Sequence, residues 1–137
     1  MTTPRHSRRA IRGQALVEFA LTIPLLLLLM VGLFDFGRAI FAYNTVSNAA
    51  RAGNRVAIVD QNMTAVQQAA LNEAPGLDIP TADVGVTFSC TDKIGCLSTV
   101  TVAYHFTPAT PIVSAIVGPI TLHGRSQMPI ERVWVSP

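Results

Sequence analysis

The chain has 137 residues, enough for one folded unit, with 10 Lys/Arg against 8 Asp/Glu and a formal net charge of +2. Four of the basic residues, Arg5, Arg8, Arg9 and Arg12, fall in the first 13 positions, which hold no acid, and this leaves six Lys/Arg against eight Asp/Glu in the remainder. The basicity belongs to an N-terminal tail rather than to a binding face, and no aromatic-and-basic stripe offers to stack bases, so the charge does not point to a nucleic-acid partner.

Residues 1–13 (MTTPRHSRRAIRG) have almost nothing to bury and read as a disordered leader. Lys/Arg ahead of an apolar run keep that end in the cytoplasm. Residues 15–34 carry a single charge, Glu18, and residues 19–34 carry none. At about 1.5 Å per residue this run makes about 30 Å of helix, the thickness of a hydrocarbon core. Pro24 lies inside it and removes the hydrogen bond to the Ala20 carbonyl, which predicts a kink or a loosened turn. Asp35 and Arg38, three residues apart, mark the far interface.

Helical period continues beyond the run. Phe36, Ile40, Tyr43, Val46, Ala50, Gly53 and Ala57 recur at three or four residues. Ala42, Ala49, Gly53 and Ala57 crowd one side. Such small residues suit docking on the chain's own domain, and they also let helices of neighbouring subunits approach closely. Residues 63–74 (MTAVQQAALNEA) read as a second short helix, capped by Asn62 or Thr64 and ended by Pro75-Gly76. The period then changes to two. Val84, Val86, Phe88 and Cys90 fall on one face, as do Val100, Val102, Tyr104 and Phe106, and Ile120, Leu122, Met128, Ile130, Val133 and Val135 supply the last segment. Three or four antiparallel strands with one buried face are predicted. Residues 107–119 (TPATPIVSAIVGP) read as an apolar loop bounded by prolines. The expected fold class is α+β: a long N-terminal helix, membrane-spanning over about residues 15–34, with a small antiparallel sheet and a second helix packed on its outer half. The expected divisions are a leader over 1–13, the helix over 14–60 and an extracytoplasmic α+β domain over 61–137.

Glu18 is the residue that needs explaining. A carboxylate at the centre of a span costs about 2.5–3.5 kcal/mol on insertion scales, so a casual glutamate is unexpected, although one near the edge can snorkel toward water. A cleaved secretory signal fits the basic start but not an apolar run this long, interrupted at its beginning by an acid. The third reading takes Gly13 and Glu18 together. The order is a basic leader, Gly13, four residues, Glu18, Phe19 and an uncharged apolar helix. This resembles the type IV prepilin signal, G-x-x-x-x-E-[YF], in which a membrane peptidase cuts after the glycine on the cytoplasmic side.

The residues that follow narrow the resemblance. Gly13, Glu18, Phe19, Pro24, Asp35-Phe36-Gly37-Arg38 and the segment Asn48-Ala49-Ala50-Arg51-x-Gly53-x-Arg55 are similar to the TadE-like pseudopilin family over about residues 12–60. The resemblance implies a minor pilin or pseudopilin of the tight-adherence (Flp) pilus system. It implies cleavage by a prepilin peptidase between Gly13 and Gln14, and a role for Glu18 and Phe19 in assembly, with the carboxylate neutralised by the new Gln14 amine of a neighbouring subunit. The partners implied are the membrane, that peptidase, other pilins and the assembly platform, but not nucleic acid. The location implied is the inner membrane, single-pass, with the N-terminus cytoplasmic and the C-terminal domain periplasmic or extracellular, and with entry into the pilus as a further expectation.

Cys90 and Cys96 flank an expected hairpin turn over 91–95, and outside the cytoplasm a disulfide is their natural state. The rival is a membrane-anchored enzyme or binding module that uses the sheet domain, with a cysteine nucleophile and His105 or His123 as its base. Nothing in the sequence brings these together, and no metal-ligand spacing or phosphate loop is present. The sequence therefore predicts no enzyme activity, no catalytic residues, no metal and no cofactor.

Overall fold

A single helix, α1, runs over Ser7–Ala57, 51 residues, with Pro24 inside it. The computed structural model describes residues 7–90 and 95–131, with side chains from residue 13 onward. Residues 1–6 of the expected leader, the turn residues 91–94 and the strand positions Val133 and Val135 lie outside the described residues. Two expectations change. The second half of the leader is helical rather than disordered, because arginine, alanine and isoleucine extend a helix that is already nucleated at lower cost than they start one. The helix also passes Pro24 without interruption. Proline withholds one backbone bond, and the turns on either side keep theirs; Thr22 Oγ1 also donates to the Glu18 carbonyl at 2.8 Å.

Helix α2 covers Met63–Asn72. Its cap is Asn62, whose Oδ1 accepts from the Thr64 amide at 3.0 Å, which decides between the two expected caps. Strands β1 (Val84–Phe88), β2 (Leu97–Phe106) and β3 (Ile120–Pro129) form one antiparallel sheet in that order, with β2 central. The register pairs Val84 with Val102, Val100 with Ser126 and Val102 with Gly124. Cys90 and Cys96 are joined by a disulfide across the β1–β2 connection, with 5.6 Å between their Cα atoms.

The expected loop over 107–119 contains a helix, α3, at Pro111–Val117. Pro111 stands at its first turn, where proline's preset φ suits a helix and its missing N–H is no loss. Gly118 closes it at φ +69°, a left-handed conformation natural to glycine. Prolines read as loop boundaries are thus a helix start and the chain's exit from that helix.

The core lies where α1 and α2 cover one face of the sheet. Val46, Val66, Val100 and Val102 are buried there, each worth about 1.5–3 kcal/mol relative to exposure, with Ala49, Ala50, Ala57 and Ala70 filling the spaces between them. The expected docking face of α1 holds in its outer part, where Val46, Ala50, Gly53 and Ala57 of the stripe and the small residues Ala42 and Ala49 are buried with Thr45 and Asn54, whereas Phe36, Ile40 and Tyr43 are exposed. Large residues on that face would hold the helix away. A Cβ at Gly53 would meet Ala70 Cβ at 3.0 Å, and one at Gly124 would overlap the Val46 carbonyl and stand 2.9 Å from the Ser47 amide nitrogen. One buried polar cluster fixes the register. Asn54 Nδ2 donates to Ser126 Oγ at 3.1 Å, and Asn54 Oδ1 accepts from the Ser98 hydroxyl, so one side chain of α1 is tied to both β2 and β3.

The Gly124 contact yields a test. Gly124→Ala forces helix and strand apart, and overpacking of this kind costs about 1–3 kcal/mol. Thermal unfolding of the detergent-solubilised full chain, followed by circular dichroism, should show a lower midpoint. Gly37→Ala, where a Cβ meets nothing within 4 Å, should show no loss. An unchanged midpoint for Gly124→Ala would contradict the close approach.

Candidate functional site

The first half of α1 is bare. Its most apolar 18-residue window has a mean hydropathy of 2.4 and is 0% buried by the rest of the chain. Leu16, Phe19, Leu21, Leu25 and Leu29 each expose about two-thirds or more of their surface. A core helix of a water-soluble domain would be covered; this one is long and apolar enough to cross a membrane and offers that surface to something outside the chain.

Gly13, Gln14, Val17, Glu18 and Leu21 share one open face at the start of this half. The Glu18 carboxylate is exposed and has no ion-pair partner among the described residues. The Gly13–Gln14 bond lies within α1. Glycine is the weakest non-proline helix former, destabilising an interior position by about 0.5–1 kcal/mol relative to alanine, so the helix is weakened here.

At the other end of the apolar run, Asp35 is buried, which the sequence reading of an interface marker misses. It is a clasp between α1 and the segment entering α3. Its Oδ1 accepts from the Ala109 amide at 3.1 Å, and its Oδ2 accepts from the Thr110 amide at 3.1 Å and from the Thr110 hydroxyl at 2.6 Å. Arg38 Nη1 stands 3.3 Å from Oδ1, and its guanidinium lies 5.5 Å from the centre of the Phe106 ring. The Thr110 hydroxyl, ahead of the two amides and Arg38, holds the Asp35 carboxyl below its ordinary value of 3.8, against the opposing effect of burial. Only the position of an acid just after an uncharged run could have signalled this residue; its partners lie 74 and 75 residues away.

The cysteines and histidines do not form a catalytic pair. Both cysteines are taken up in the disulfide. His105 sits nine residues along β2 from Cys96, about 30 Å at strand rise, where its Nδ1 lies 3.1 Å from Thr121 Oγ1 and its Nε2 3.7 Å from Asp83. His123 is on β3 opposite Ala103. Among the described residues no group of three or more His, Cys, Asp or Glu could hold a metal ion.

An exposed apolar half with a single acid near its start, followed by an outer half of small buried residues, makes α1 the distinctive element. Residues 13–55 match the TadE-like protein family. No curated protein and no solved structure matches the chain. The TadE-like segment opens at Gly13 and reaches almost to the end of α1, so it contains Glu18, the Asp35 clasp and the buried Asn54. The match supports involvement in the tight-adherence (Flp) pilus system.

The clasp has a pH signature. A carboxyl whose pKa is lower in the folded state stabilises the fold above its unfolded value, near 4, and that contribution disappears as pH falls through the lower folded value. The midpoint of thermal unfolding should therefore drop below about pH 4. Asp35→Asn should unfold at a lower temperature at pH 7 and lose part of that acid dependence. A variant with the wild-type midpoint and pH profile would show that the clasp contributes nothing.

Proposed function

We propose that this protein is a minor pilin or pseudopilin of the tight-adherence (Flp) pilus system, made as a precursor and cut by a prepilin peptidase between Gly13 and Gln14. The observation that carries the reading is the position of Glu18, five residues after Gly13, at the head of an uncovered apolar helix inside the TadE-like segment. Arg5, Arg8, Arg9 and Arg12 hold the leader on the cytoplasmic side, and the α+β domain follows α1 to the other side.

The chemistry of the cut explains the carboxylate. Removal of residues 1–13 creates an α-amine at Gln14, one helical turn from Glu18. An anion and a cation near the edge of a hydrocarbon layer are each expensive alone. Paired between adjacent subunits, they set the axial register of the bundle. Phe19 and the leucines after it then pack against neighbouring helices. The extracytoplasmic setting also suits the Cys90–Cys96 disulfide. Partners follow from this arrangement: the peptidase, other pilins and the assembly platform.

Glu18→Val separates assembly from folding. Loss of the acid makes membrane insertion as good or better, and the sheet domain does not touch this site. Abundance and membrane location should be unchanged, while recovery of pilin partners in a membrane pull-down and the number of surface pili should both fall sharply. Normal complexes and normal piliation in the Glu18→Val strain would reduce Glu18 to a residue that merely snorkels.

A further inference from the structure

Helix α3 is short, and it does not cover the core. Ile116 is 79% exposed, Val117 55% and Ile112 53%. From residue 107 to residue 122 there is no charged side chain. On a domain surrounded by water, such a patch is a liability.

The place of α3 along α1 supplies the reason. The Asp35 clasp ties its N-terminal end to α1 immediately after the apolar run. Beside the clasp, an apolar cleft of about 230 Å³ that includes Asp35 separates the two helices, running from Gly32 to Ala39 on α1 and lined opposite by Val113, Val117 and Ile120. Gly32 belongs to the uncharged run over 19–34. The patch is therefore continuous with the bare surface of the span and lies at the level of its last turn. We infer that α3 is a second membrane contact: it lies in the outer interfacial layer of the bilayer, with Ile112, Ile116 and Val117 in the acyl chains and lipid filling the cleft beside Gly32. Interfacial helices bury an apolar face to a depth of about 5–10 Å, which suits a helix of this size. Arg38, 53% exposed at its side chain and next to Ala39 at the outer end of the cleft, is then placed to meet the lipid phosphates. The consequence is orientation. A chain held at two points cannot turn freely about the long axis of α1, so its sheet keeps a fixed attitude to the membrane before assembly. This inference rests on α1 being a membrane span, and the test separates the two.

The test uses the full chain reconstituted at low protein density in phosphatidylcholine vesicles carrying bromine either near the head of the acyl chain or near its end. Trp134, the one native tryptophan, is replaced by Phe, and single tryptophans are introduced by Ile116→Trp, Leu26→Trp and Met63→Trp. The Ile116→Trp probe should emit at shorter wavelength than Met63→Trp and be quenched most by bromine near the head of the chain. The Leu26→Trp probe should be quenched most by bromine near its end. If Leu26→Trp is quenched while Ile116→Trp behaves like Met63→Trp, α3 faces water and the inference is overturned while the span stands. A blue-shifted Ile116→Trp probe that no brominated lipid quenches overturns it in favour of a protein cover. If neither Leu26→Trp nor Ile116→Trp is quenched, the span itself fails and the inference falls with it.

Discussion

The backbone-to-backbone approach of α1 to the sheet at Val46 and Gly124 is the constraint on which the rest depends. A helix can come that close to a strand only if one of them has no side chain at the crossing, and β3 supplies Gly124 there. The same requirement recurs along α1, where Ala42, Ala49, Ala50, Gly53 and Ala57 are all buried and all small. Close approach gives up side-chain volume and gains contact along the whole length of the outer half. Buried valines from α2 and β2 fill what remains, and Asn54 locks the register by bonding to both β2 and β3.

One helix consequently serves two environments with two rules. Over its outer half, selection by size makes α1 part of a globular core. Over its inner half, size is free and polarity is not: large apolar residues crowd every side and stay exposed among the described residues. Asp35 stands at the change. Its carboxylate takes four donors from Ala109, Thr110 and Arg38, which keeps a charge stable at the foot of the domain and fixes where the domain begins along the helix. The charge that reads as an interface marker in the sequence is thus also the fastening that positions α3 beside the span.

Much of this is legible in the sequence because period and charge report on environment directly. The apolar run, the continuing helix, the second helix with a cap at Asn62 or Thr64 and the antiparallel strands all follow from spacing and turn residues. The docking face of α1 is legible in part: its small residues mark it, while the hydrophobic pattern also selects Phe36, Ile40 and Tyr43, which stay exposed. Helix α3 is hidden because proline and glycine signal both loops and helix ends, and only the backbone shows which meaning applies. The partners of Asp35 and Asn54 are set by tertiary distance, which no local window contains. On the inner half the reverse holds: Gly13 and Glu18 are prominent in the sequence, while the described residues offer Glu18 no ion-pair partner, and under the proposed function its cation comes from another subunit.

The proposed function requires a precursor whose first 13 residues are removed, so that a new amine appears one turn from Glu18. Sequencing the N-terminus of the native protein recovered from membranes tests this most directly. The account predicts Gln14 as the first residue. A protein that retains Met1 in membranes containing an active prepilin peptidase would contradict it.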